Sequence, residues 1–201
     1  MIILASASPR RRELLEQIGC CFRVVVSEAE EKMSQELSLQ ELVLHNAGLK
    51  ARAAAVLEPE LPVLGADTVV SLDGHIYGKP EDTNEAVQML RSLSGRTHEV
   101  STGIAFVKDG RLWQAVETTR VSFAELSEEE IVRYAECGEP DDKAGAYAIQ
   151  GRAAVFIEGI HGSYSNVVGL PLHCVAALAR KAGINLYDDY GKGLTDRGET
   201  S

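Results

Sequence analysis

The sequence predicts an α/β domain, in which short buried strands alternate with amphipathic helices. Three observations carry that expectation. The chain opens with a strand-like run, Ile2–Ala5, that leads straight into a helix beginning Ser8-Pro9. Two Asp-Gly pairs, Asp73-Gly74 and Asp109-Gly110, separate apolar runs as hairpin turns do. The pairs Asp82/Glu85 and Ser127/Glu130 have the spacing of capping boxes ahead of apolar periodicity. A length of 201 residues supports one folding unit, with a single sizeable core or two lobes sharing a sheet. We expect one domain over residues 1–187 and a frayed, polar tail over 188–201.

Each element follows from local chemistry. Ser8 caps the first helix, Leu14, Leu15 and Ile18 form its apolar stripe, and Gly19 ends it. Residues 22–26 read as a second strand, followed by the acidic run Glu28, Glu30 and Glu31, a solvated loop by default. A helical pattern covers Leu39–Leu57, with Gly48 inside it, Lys50 on it and Pro59 beyond its end. Residues 61–72 form a buried strand that turns at Asp73-Gly74 into His75–Tyr77. A helix follows Asp82 through Leu93, stopped by Gly95. Two long strands, 99–107 and 112–123, come next, the second with the alternation of a half-exposed strand. Ser127 opens a helix carrying Ile131 and Tyr134, residues 153–160 return to strand, and a last helix runs from Pro171 to Gly183.

Composition narrows the function. The chain is 45% hydrophobic and 25% charged, as ordinary globular domains are. Its formal net charge of -10 disfavours nucleic acid and acidic membranes as partners, but a local basic cluster can still hold an anionic small molecule. No signal peptide and no bilayer-spanning run is expected. Cys20, Cys21, Cys137 and Cys174 show no C-x-x-C spacing and read as reduced thiols in a cytoplasmic protein. The five histidines are scattered without an H-x-x-x-H pair, which favours surface or core roles over zinc.

Such a basic cluster stands at the start of the first helix. Arg10, Arg11 and Arg12 occupy its first turn, at the positive end of the macrodipole, where acidic residues are normally favoured. With Ser6, Ser8 and the backbone N–H groups they make a phosphate cradle; the alternative is a solvated basic face balanced by Glu13 and Glu16. Asp67, inside the apolar run GADTVV, must be paired, hydrogen-bonded to backbone, or hold a metal. Lys79 follows the hairpin and returns near Asp67 if the two strands pair; otherwise it is a surface lysine. A polar island, EPDDKAGAYAIQG, offers Lys143 and Gln150 as donors among small residues. A second, HGSYSNVVGLP, lacks nucleophile-elbow spacing, and Pro80 after Gly78-Lys79 excludes a Walker loop.

Taken together and in order, SASPRRRELL, GADTVV, GKP, SGRTHEV, EPDDKAGAYAIQG and GSYSNVVGLPL resemble the Maf family of nucleoside triphosphate pyrophosphatases, from Ile2 to about Leu178. The resemblance implies an α/β fold related to the inosine triphosphate pyrophosphatases, an elongated mixed sheet flanked by helices in two lobes around a central cleft. It also implies a homodimer that releases pyrophosphate from a nucleoside triphosphate with a divalent metal, Mg²⁺ or Mn²⁺. Carried over by position, Asp67 is the proton acceptor, Ser6, Arg11, Lys50 and Lys79 hold the triphosphate, and Glu31 and Asp67 hold the metal. Arg10, Thr68 and Gln150 match the branch acting on dTTP and UTP. The segment HNAGLKA departs from the more usual Leu-Ala ahead of the lysine. Two alternatives stand beside this reading: the same chemistry on 7-methyl-GTP or other modified NTPs, and a nonenzymatic regulator of septum formation.

Overall fold

The computed structural model describes residues 1–26 and 37–187. Glu31 and the tail from residue 188 therefore lie outside the described residues. Among the described residues, seven strands form one mixed sheet: β1 (Ile2–Ala5), β2 (Phe22–Val24), β3 (Val63–Leu72), β4 (His75–Tyr77), β5 (Thr97–Lys108), β6 (Arg111–Phe123) and β7 (Ile157–His161). Their spatial order is β2-β1-β3-β5-β6-β7, with β4 on β3. The pairs β1–β2 and β1–β3 are parallel and the others antiparallel. Among the described residues, six α-helices flank the sheet: α1 (Pro9–Gln17), α2 (Leu39–Leu57), α3 (Thr83–Leu93), α4 (Glu128–Ala135), α5 (Tyr164–Val168) and α6 (Leu172–Lys181).

The pleat of β3 sorts the packing. Its odd positions face α2, where Val63 packs with Ala47, Ala51 and Ala54, and Val69 with Leu42 and Val43. Its even positions face the other side and enter two separate cores. Leu64 and Ala66 pack with α1 and α6, through Leu14, Leu15, Val175 and Leu178. Val70 and Leu72 pack with α3 and α4, through Leu90, Leu93, Ile131 and Tyr134. Thr68 is the residue between the two cores.

β3 also has a gap along one edge. Its pairing with β1 ends at Ala5↔Gly65, and its pairing with β4 begins at Val70↔Tyr77. Among the described residues, 66–69 are paired only with β5. Side chains from both faces of the sheet can reach one opening there, which a continuous sheet would keep apart.

α2 lies unusually close to the sheet. A Cβ on Gly65 would stand 2.3 Å from the Ala47 carbonyl oxygen, and one on Gly103 would stand 2.3 Å from that of Val43. At these two positions only a residue without a side chain fits beneath the helix.

Most sequence expectations hold to within two residues at element ends, and three are corrected. Strand β2 ends at Val24 rather than Val26, because it is an edge strand pairing only three residues with β1. Residues 152–156 form a 3₁₀ turn, not strand: Ala153 and Phe156, three apart, enter the second core while Val155 is exposed. Helix α5 was not expected, and Ser163 caps it by accepting from the Asn166 N–H at 3.3 Å.

Candidate active site

Asp67 is 5% exposed, and both of its oxygens are engaged. Lys50 Nζ donates to Oδ1 at 2.8 Å, and Asn46 Nδ2 donates to Oδ2 at 3.1 Å. Asn46 and Lys50 stand four residues apart on α2 and so present the same face to β3. The close approach permitted by Gly65 and Gly103 brings that face within reach.

On the opposite face of β3, Arg11 is almost fully buried. Its Nε donates to the Gly169 carbonyl at 2.8 Å, one terminal nitrogen to Ser6 Oγ at 2.9 Å and the other to Thr68 Oγ1 at 3.0 Å. The guanidinium thus ties the loop after β1 to β3 and to the end of α5. Thr68 Oγ1 also meets Thr102 Oγ1 at 2.9 Å, and Thr102 donates to the Asn166 carbonyl at 3.3 Å. The Asn166 amide, fully buried, donates to the Val100 carbonyl at 2.9 Å and to Thr119 Oγ1 at 3.0 Å. Asn166 Oδ1, at the end of this polar chain, is buried without a hydrogen-bond partner among the described residues, an exception to the rule that buried polar groups are paired.

Both halves open into one cleft of about 660 Å³, the size that small-molecule sites have. Ser6, Arg10, Arg11, Lys50, Asp67, Thr68, Lys79 and Gln150 all line it. Lys79 and Gln150 are exposed at its rim. Arg10 donates to Asp142 at 3.3 Å, and Lys143 pairs with the same carboxylate. Partial burial pushes the Asp142 carboxyl up, but the bonds and charges of Lys143 and Arg10 outweigh it and hold the group below its ordinary range.

The segment carrying Gln150 is clamped from beneath. Glu139 Oε1 accepts from the Tyr134 hydroxyl at 2.8 Å and from the Arg152 N–H at 3.0 Å, closing the loop on itself. The Tyr134 hydroxyl accepts in turn from the Ala148 N–H at 3.2 Å. A Cβ at Gly151 would lie 2.2 Å from the Glu139 carboxylate, so a side chain there would push that clamp aside. Tyr147, which lines the cleft, meets His98 Nε2 at 2.8 Å through its hydroxyl.

Sequence reasoning missed Asn46, Glu139 and Tyr134 as parts of this arrangement. The signal for Asn46 was present, since it is a polar residue one turn before Lys50 on an otherwise apolar helix face. Nothing in the spacing of Tyr134 and Glu139 points to a clamp. Among the described residues, no group of three or more His, Cys, Asp and Glu is gathered as a metal site, and no helix is long and apolar enough to cross a membrane.

The sequence matches the family model described as Maf-like protein over residues 1–182. The chain belongs to the Maf family. A dTTP/UTP pyrophosphatase of Symbiobacterium thermophilum is 52% identical over 186 residues, spanning 92% of this chain and 96% of the relative. One from Pelotomaculum thermopropionicum is 49% identical over 187 residues, spanning 92% and 98%. One from Clostridium acetobutylicum is 45% identical over 197 residues, spanning 92% and 99%. In this Maf chain the GADTVV run supplies Asp67 to one face of the sheet and Thr68 to the other. The SGRTHEV run supplies His98 to the floor beneath the Gln150 segment.

Burial lowers the His98 pKa from 6.5 to about 4, so the folded protein keeps this ring neutral where the unfolded chain already binds a proton. The unfolded state therefore gains protons first as pH falls, and stability drops between pH 6.5 and about 4. The loss at the acidic end is about 3 kcal/mol. Urea unfolding at pH 7 and pH 4.5 should show a smaller acid loss in His98→Gln than in the native protein. Equal losses would reject the assignment.

Proposed function

We propose that this chain hydrolyses nucleoside triphosphates to the monophosphate and pyrophosphate, with dTTP and UTP as its substrates. The observation that carries the reaction is Asp67, a buried carboxylate gripped by two donors inside a basic cleft. The base preference rests on relatives named dTTP/UTP pyrophosphatase at 45% to 52% identity over nearly the whole chain. That likeness argues against 7-methyl-GTP as the substrate, and the partly buried Lys50–Asp67 pair argues against a purely scaffolding role.

The triphosphate enters over the Ser6–Arg11 loop. Arg11 and Lys79 face its phosphates, and Lys50, paired with Asp67, brings its positive charge to a phosphate oxygen as well. Asp67 orients a water for in-line attack on the α-phosphorus and accepts its proton, and pyrophosphate departs. Arg10, Thr68 and Gln150 stand at the base end. The Thr68 hydroxyl accepts from the Arg11 guanidinium, so the base end adjoins the phosphate end there.

A divalent cation suits this donor set. Ionised carboxylate oxygens have about four lone-pair sites, of which Lys50 and Asn46 use two at Asp67. Mg²⁺ is commonly held by one or two carboxylates together with substrate phosphates. Asp67 and Glu31 would hold it, and when bound it neutralises charge on the phosphates. We further propose a homodimer located in the cytoplasm.

One assay tests the reading. Purified protein is incubated with dTTP, UTP, CTP and 7-methyl-GTP, with and without Mg²⁺ or Mn²⁺, and monophosphate and pyrophosphate are followed. Equal amounts of both, only with metal and fastest for dTTP and UTP, are expected. Diphosphate plus orthophosphate would overturn the reaction, and a preference for 7-methyl-GTP the substrate. Cytosine replaces a carbonyl acceptor of uracil with an amino donor, and such a mismatch costs about 1 to 3 kcal/mol. In Gln150→Ala the UTP-to-CTP ratio of kcat/KM should fall by about tenfold. An unchanged ratio would remove Gln150 from base selection.

A further inference from the structure

Asp67 has two oxygens and two donors, and only one of those donors belongs to the sequence-assigned site. The other is Asn46, 1% exposed, on a helix face otherwise formed by Leu42, Val43, Ala47 and Ala51. An amide in such surroundings is costly unless its hydrogen bonds are made. Its Nδ2 lies 3.1 Å from Asp67 Oδ2. We propose that Asn46 is a positioning residue for the reaction, fixing the plane of the Asp67 carboxylate so that its remaining lone pairs point into the cleft.

The physical reason is rotational. The terminal torsion of an aspartate is broad, so a carboxylate held at one oxygen swings about its last bond. Lys50 alone, through a long flexible stem, leaves that swing open. A short amide on the second oxygen closes it, because Asn46 approaches on a helix that Gly65 and Gly103 allow to within contact of the sheet. A leucine at position 46 has the same branching and the same number of side-chain heavy atoms and keeps the apolar face continuous, yet it offers Oδ2 no donor. The role of Asn46 is thus separable from packing. Misplacing a reacting group by as little as an ångström can cost about a hundredfold in rate.

The inference rests on the proposed role of Asp67, and the experiment separates the two. The full chain with dTTP and Mg²⁺ is assayed as native protein, Asn46→Leu, Asp67→Asn and the double variant, each with its thermal melt. Asn46→Leu is expected to fold, to lose about tenfold or more in kcat, and to keep KM within about twofold, as supporting residues behind a reactive group do. Because Asn46 acts through Asp67, the double variant should be no slower than Asp67→Asn alone. Native kcat in a folded Asn46→Leu, a rise in KM with kcat unchanged, or losses that multiply in the double variant would overturn the inference alone. Native turnover in Asp67→Asn would reject the reading of Asp67, and this inference with it. Should the leucine fail to fold, Asn46→Ser, smaller than the native residue, gives the same comparison.

Discussion

Asp67→Asn should lower kcat by about two to four orders of magnitude while the protein stays folded, since loss of a positioned general base has that effect. The substitution keeps shape and volume, so the core around β3 has no cavity to absorb. What changes is the charge, and with it the pairing to Lys50 at 2.8 Å. Loss of that charge weakens a partly buried ion pair, so the melting temperature should drop by several degrees without loss of the cooperative transition. The test is single-turnover hydrolysis of dTTP beside a thermal melt. Turnover within about tenfold of native in a folded variant would place the base elsewhere.

Arg11→Ala is the second large effect, and it should strike activity and stability together. The guanidinium is buried and spends its donors on Ser6, Thr68 and the Gly169 carbonyl. Truncation leaves three acceptors from three separate segments without their donor, which should cost about 2 to 4 kcal/mol. It also removes a cation from the phosphate end of the cleft, where loss of one such donor costs about two to three orders of magnitude in rate. Every NTP shares those phosphates, so all should suffer alike. Lys79→Ala is the control, because Lys79 is exposed at the rim. It should weaken all substrates with little change in melting temperature. A loss confined to one base, in either variant, would remove that residue from the triphosphate.

Several parts of the site were legible in the chain because they violate local preference. Three arginines in the first turn of α1 oppose the helix dipole, and Asp67 interrupts a run fit for burial. Violations of that kind mark function more reliably than agreements do. Partnerships were less legible. Arg11 looked like a residue for phosphate alone, but it also bridges the loop after β1, β3 and α5, segments up to 158 positions apart. Lys50, assigned to the triphosphate from sequence, is paired with Asp67. Thr68, assigned to the base, spends its hydroxyl on Arg11 and Thr102.

What the sequence by itself determined were the features written in local chemistry. The Asp-Gly turns have left-handed backbone at both residues of each pair, at positions 73–74 and 109–110. The capping box at Ser127/Glu130 forms as its spacing dictates, and Gly19, Gly95 and Gly183 each follow a helix end with positive φ. Such elements need only neighbours within four residues. Tertiary structure alone decided that Asp67 and Thr68, adjacent in the chain and directed to opposite faces of β3, open into a single cleft. That depends on where β1 stops and β4 starts along β3, a matter of pairing between segments far apart in sequence. It alone also decided that Asn46 reaches Asp67, because the approach of α2 is set by Gly65 and Gly103 on two different strands, which become neighbours only when the sheet forms.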